Sequence, residues 1–101
     1  MNALLSGGAI REALARLPGW TLEGGEIVRT FAFADFAAAL GFVNRAGTLA
    51  EQANHHPDID IRWNKVTLRL TTHSKGGLTA LDFGLAEEID RLARELREDH
   101  S

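Results

Sequence analysis

The chain has 101 residues, 45% hydrophobic and 25% charged, the balance of an ordinary globular domain with material for one core and no more. Eleven Lys and Arg against fourteen Asp and Glu give a net charge of −3, which lacks the positive field that holds nucleic acid or an anionic membrane, so neither is expected as a partner. The absence of cysteine excludes disulfides, a thiolate nucleophile and zinc held by sulfur.

The apolar positions Ile10, Ala13, Leu14 and Leu17 recur at helical spacing and predict a short first helix that stops at Pro18-Gly19. Trp20 to Leu22 and Ile27 to Phe33 flank Glu23-Gly24-Gly25-Glu26, whose glycine pair supplies the positive φ of a tight hairpin. Asp35 is placed to cap a second helix, with Phe36, Leu40, Val43, Gly47 and Ala50 as its expected core face, running to about Asn54 or His55 before Pro57. Ile59, Ile61 and Trp63 then alternate with Asp58, Asp60 and Arg62. After an expected Asn64-Lys65 turn, Val66, Leu68 and Leu70 resume the alternation. Gly76-Gly77 interrupts the chain, and Thr79 opens a last helix with Leu81, Leu85, Ile89, Leu92 and Leu96 as its stripe. The mixed charges from Glu87 to Asp99 read as that helix's solvated side.

The order α-β-β-α-β-β-α, with two hairpins and no βαβ crossover, predicts an α+β fold: a four-stranded antiparallel sheet with three helices on one face. One domain over residues 1–101 is expected, with its core at about 10–96 between flexible ends. With no secretory signal at Met1 to Ile10 and no membrane-length apolar run, a cytoplasmic location is expected. The small core and open sheet edges favour a homo-oligomer.

Chemistry concentrates in the histidines. His100 lies in a charged tail and is set aside, but the Asn64-Lys65 turn places His56 opposite His73, so His55, His56 and His73 should gather at one end of the sheet. Glu51, four residues before His55, is placed to orient it. A metal site is the rival use. Neighbouring histidines chelate poorly, and the i, i+4 pair of common zinc motifs is missing, so no metal is expected. Imidazoles titrating near neutrality suffice for general acid and base catalysis. Thr79-Ala80-Leu81-Asp82 reads first as a capping box, and Trp63 as the last inward residue of its strand.

Glu51-Gln52-Ala53-Asn54-His55-His56-Pro57, then Trp63, Thr72-His73 and Gly76 to Asp82, resemble in residues and spacing the signature of the pterin-4a-carbinolamine dehydratase family. Gly19-Trp20, Phe31-Ala32-Phe33 with Asp35-Phe36, and Asn64-Lys65-Val66 extend the likeness. The resemblance implies removal of water from a 4a-hydroxytetrahydropterin, the product of aromatic amino-acid hydroxylases, to give a quinonoid dihydropterin that a separate reductase recycles. It implies His55, His56 and His73 as the catalytic set, with Asp82 and Glu51 supporting, His56 and Trp63 binding substrate, and no cofactor, the pterin being the substrate. The partners it implies are the pterin itself, further copies of the chain as a homodimer or homotetramer, and a hydroxylase in the same pathway. The alternative is a non-catalytic relative serving as an assembly or dimerisation module. A metal-dependent hydrolase is a third reading, separable by elemental analysis.

Overall fold

The computed structural model describes residues 3–99, with side chains to residue 96. The element order is the predicted one: α1 (Gly7–Ala15), β1 (Thr21–Glu23), β2 (Glu26–Ala32), α2 (Phe36–Ala53), β3 (Asp58–Arg62), β4 (Lys65–Leu70) and α3 (Ala80–Asp99), with a 3-10 turn over His73–Lys75. The sheet is antiparallel throughout, in the order β1-β2-β4-β3. Gly24 and Gly25, both at positive φ (55° and 82°), close the first hairpin at the Glu23↔Glu26 pair.

One face of the sheet carries Ile27, Phe31, Val66, Leu68 and Leu70, all fully buried against α2 and α3. The other stays polar: the Thr30 and Thr67 hydroxyls meet at 2.8 Å on an exposed cross-strand pair. Phe42 of α2 stacks at 4.9 Å from Phe31 and 4.8 Å from Phe33, joining helix to sheet. Leu85, Ile89 and Leu92 of the predicted α3 stripe are buried, and Leu81 and Leu96 are half-buried. Among the described residues no helix is long and apolar enough to cross a membrane.

The structure corrects the expected core face of α2. The buried positions are Ala39, Phe42, Ala46 and Ala50, whereas Phe36 and Leu40 are exposed. This helix carries two apolar stripes, and the one rich in alanine faces inward because small side chains let the helix axis approach α3 and the sheet closely. Phe42 alone of the large residues is fully buried with them, and Phe36 and Leu40 are left on the outside.

The second hairpin also differs from expectation. Its turn is Trp63-Asn64, closed by the Arg62↔Lys65 pair, and Ile59 and Ile61 face Leu68 and Val66. Asn64 is held in the turn by Phe33, its side-chain amide donating to the Phe33 carbonyl at 2.9 Å while its own carbonyl accepts from the Phe33 N–H at 2.9 Å. That tie to the end of β2 outweighs the local preference for Asn64-Lys65. Trp63 takes φ 51° and is 66% exposed, so it is not the inward strand residue that alternation predicts.

Candidate functional site

The end of α2 separates its two histidines. Asn54 adopts a left-handed conformation (φ 49°), its N–H bonding the Glu51 carbonyl while the His55 N–H bonds the Ala50 carbonyl, the paired bonds of a Schellman ending. The reversal turns His55 inward, to 8% exposure, and leaves His56 exposed.

His55 meets the start of α3. Its Nε2 lies 2.6 Å from Oδ1 of Asp82, a carboxylate with no exposed surface. Oδ2 of Asp82 accepts from the Thr79 N–H at 2.9 Å, closing the predicted capping box, and from the Thr72 hydroxyl at 2.9 Å. The Thr72 and Thr79 hydroxyls are 2.8 Å apart, and Thr79 Oγ1 accepts from the Leu81 N–H at 3.2 Å.

These contacts fix the direction of every proton. Thr72 gives its hydroxyl proton to Asp82, so it must accept from Thr79, whose oxygen in turn accepts from Leu81. Asp82 only accepts, so His55 presents Nε2–H to it, and the neutral ring in that tautomer carries its lone pair on Nδ1. Nδ1 has no partner among the described residues, yet none of their buried side-chain nitrogens or oxygens lacks one. The lone pair therefore opens towards the surface.

Glu51 does not orient His55 as expected. Its Oε1 lies 2.7 Å from Nε2 of His56, between side chains 78% and 56% exposed. The i, i+4 relation requires an unbroken helix, and the left-handed Asn54 takes His55 off that face and brings His56 onto it. Beside this pair an open groove of about 470 Å³ runs between α2 and β3, lined by residues that include Glu51, His56, Pro57 and Ile59.

His73 is exposed in the 3-10 turn, next to Thr72. The turn at Trp63-Asn64 moves the register by two, so β3 and β4 last pair at Asp58↔Arg69 and continuing the ladder would bring His56 to Thr71, not His73. Both histidines still leave the same end of the hairpin, and the Thr72–Asp82–His55 contacts tie His55 to that end. Trp63 sits at the other end of β3, roughly 16 Å along the strand at the usual rise per residue. Within one chain it is apart from the histidines. His100 lies outside the described residues. Among them, no three His, Asp or Glu side chains are arranged to hold a metal ion.

The family model described as pterin 4 alpha carbinolamine dehydratase matches residues 3–92. The chain belongs to this family. A protein of Chloroflexus aurantiacus named "Putative pterin-4-alpha-carbinolamine dehydratase" is 58% identical over 88 residues, covering 87% of this chain and 95% of that one. A solved structure from Brucella melitensis, described as a transcriptional coactivator/pterin dehydratase, superposes with a TM-score of 0.85 at 38% identity, covering 89% of this chain and 98% of that one. A pterin dehydratase-like protein described as a RuBisCO assembly factor of the alpha-carboxysome shares the fold at a TM-score of 0.61 and 23% identity, over 73% of this chain and 86% of that one.

Sequence reasoning missed two members of the constellation in this family's fold, Thr72 and Thr79 as a hydroxyl relay behind Asp82. The capping pattern pointed to Asp82, but no spacing rule joins residue 55 to residue 82. That pairing arises because the end of α2 and the start of α3 pack at the same end of the sheet.

Proposed function

We propose that the protein is a 4a-hydroxytetrahydropterin dehydratase, a hydro-lyase acting in tetrahydropterin recycling. The observation that carries this reading is a family-type His-His pair of which one member, His55, is locked by Asp82 with its Nδ1 lone pair turned outward. In the reaction the C4a–O bond breaks as the leaving hydroxyl takes a proton to become water, and N5 loses its proton as the C4a=N5 bond forms. One acid and one base are needed across the ring. His55 exchanges a proton at Nδ1, with Asp82 stabilising the imidazolium while it carries that proton. His73, exposed at the same end of the sheet, is the complementary proton donor, and His56, steadied by Glu51, holds the pterin. Trp63 serves as a pterin wall only if another copy brings it near, since its own histidines lie at the far end of β3.

The same reading makes the protein a homo-oligomer, supported by the exposed Phe36 and Leu40 on α2 and Ile59 on the edge strand β3. The test is the decay of enzymatically generated 4a-hydroxytetrahydropterin with and without the protein. Acceleration that falls by about 10² in His55→Ala supports the assignment, and no acceleration by the parent protein overturns it. The second outcome would favour an assembly module, because the fold is shared with a protein described as an assembly factor.

A further inference from the structure

A second concave site lies away from the histidines, where the end of α1 and the middle of β2 meet the middle of α3. Its volume is about 390 Å³, and it is lined by four arginines, Arg16, Arg29, Arg91 and Arg94, against two carboxylates, Glu87 and Asp90. The apolar part of the wall is Leu17, Pro18 and Ala93. In a chain of net charge −3, four of the eleven basic residues converge here.

The ordinary fate of arginines on a helix is pairing with acids one turn away. Here Glu87 and Arg91, Asp90 and Arg94, and Arg91 and Glu95 all stand at that spacing, yet none of the three pairs is among the ion pairs of the described residues. Asp90 is diverted inward: its Oδ1 accepts from Trp20 Nε1 and from Arg29 Nη1, each at 2.9 Å. Arg94 is thereby left without the acid one turn before it. Arg16, at the end of α1, likewise has no carboxylate within ion-pair distance among the described residues.

Arg29 is fixed before any ligand arrives. Its guanidinium is held by Asp90, lies 4.4 Å from the Phe31 ring centroid, and packs so close to Gly19 that a Cβ there would fall 2.4 Å from its Cζ. Gly19 is thus a cradle for the arginine. At the end of α1 the carbonyls of Ala13, Leu14 and Leu17 are taken up by the N–H groups of Arg16, Leu17 and Trp20.

We propose that this cleft is a binding site for a phosphate-bearing small molecule. The phosphate would be held by the guanidinium groups of Arg16, Arg91 and Arg94, which have no ion pair among the described residues, around the immobilised Arg29, and the organic body would lie on Leu17 and Pro18. Guanidinium forks match phosphate oxygens in pairs, and the volume is that of a small-molecule pocket. The site does not depend on the chemistry at the histidines.

The test is titration of the full chain with inorganic pyrophosphate, followed by amide NMR shifts, in parallel with Arg16→Gln/Arg94→Gln. Both side chains are exposed, so the variant keeps the fold. Saturable shifts confined to Gly19, Arg29 and residues 87–94, weakened about tenfold or more in the variant, are expected. Absence of shifts, shifts spread equally over Arg45, Arg62 and Arg69, or saturation unchanged in the variant overturns the proposal. Phosphatidylcholine vesicles doped with phosphatidic acid distinguish the source. Sedimentation of the protein with them that the variant abolishes, stronger than pyrophosphate binding, assigns the phosphate to a lipid headgroup, and pyrophosphate binding without sedimentation assigns it to a soluble metabolite.

Discussion

Asp82→Asn isolates what the buried carboxylate does for His55. The amide is nearly isosteric, and the fixed donor beside it decides how it sits. The Thr79 N–H cannot turn away, so the amide oxygen must take the Oδ2 place, where Thr72 also donates. The NH₂ group then faces His55 Nε2 across what is now a 2.6 Å contact. Two donors cannot share that contact, so His55 moves its proton to Nδ1 and accepts at Nε2, and the outward lone pair is lost. One charge-assisted bond is replaced by a neutral one, and the stability cost is about 1–2 kcal/mol, since the cap and the Thr72 bond survive. For a domain of this size that lowers Tm by about 5–15 °C, leaving the protein folded at assay temperature. Dehydration should fall by about 10² or more, because the wrong tautomer leaves the imidazole in place without its base. The assay is pterin dehydration at saturating substrate, with long-range nitrogen–proton NMR of the imidazole reporting the tautomer. A folded Asp82→Asn protein whose rate stays within about a factor of two of the parent, with its His55 proton moved to Nδ1, would refute the reasoning.

Glu51→Gln touches a pair that is mostly exposed, so thermal unfolding should change by no more than about 0.5 kcal/mol while KM for the pterin rises; a fall in kcat alone would show that His56 does more than bind. Asp90→Ala strands the Trp20 N–H and the Arg29 guanidinium together, and urea unfolding should register a loss of about 2–3 kcal/mol with dehydration unchanged in the folded fraction. Trp63→Asn relieves a left-handed backbone that asparagine tolerates at a position burying little, so stability by chemical denaturation should rise by about 0.5–1 kcal/mol, and a fall would show that the ring packs against something. Phe36→Glu/Leu40→Glu should shift the mass measured by light scattering towards the protomer, and an unchanged mass would move the interface off this face of α2.

The fold was legible because each element obeys a short-range rule: Gly24-Gly25 demanded a hairpin, Asp35 a cap, and Leu85, Ile89 and Leu92 a helical stripe. What escaped was set by contacts distant in sequence. The hairpin turn lies one residue earlier than its local chemistry suggests because Phe33 captures Asn64. A register change of two keeps Ile59 and Ile61 on the same face, so hydrophobic alternation is blind to it. On α2 both candidate stripes have helical period, and only the proximity of α3 and the sheet selects the alanine-rich one. At the site, the histidines could be gathered at one sheet end from topology. Which of the adjacent pair turns inward, however, depends on a single left-handed residue, Asn54, and that exchanged the partners of Glu51.

Asp82 has two employments, and they differ in what they reveal about function. As the third residue after Thr79 it completes a capping box, which stabilises α3 whether or not the protein catalyses anything, so an aspartate there is expected in any relative that needs this helix start. His55 has no such justification. Burying an imidazole against a carboxylate costs desolvation that the mutual attraction only roughly offsets, and any side chain of similar reach that offers Asp82 one donor satisfies the same buried oxygen. His55→Gln, whose side-chain amide N–H can take the place of Nε2–H against Asp82 Oδ1, should therefore fold with little change in Tm, with the Asp82 cap intact, while losing dehydration. A large destabilisation would instead make the pair structural and remove the main support for its catalytic use. For relatives sharing this fold with other employment, the residue to inspect is the inward histidine rather than the aspartate that holds it.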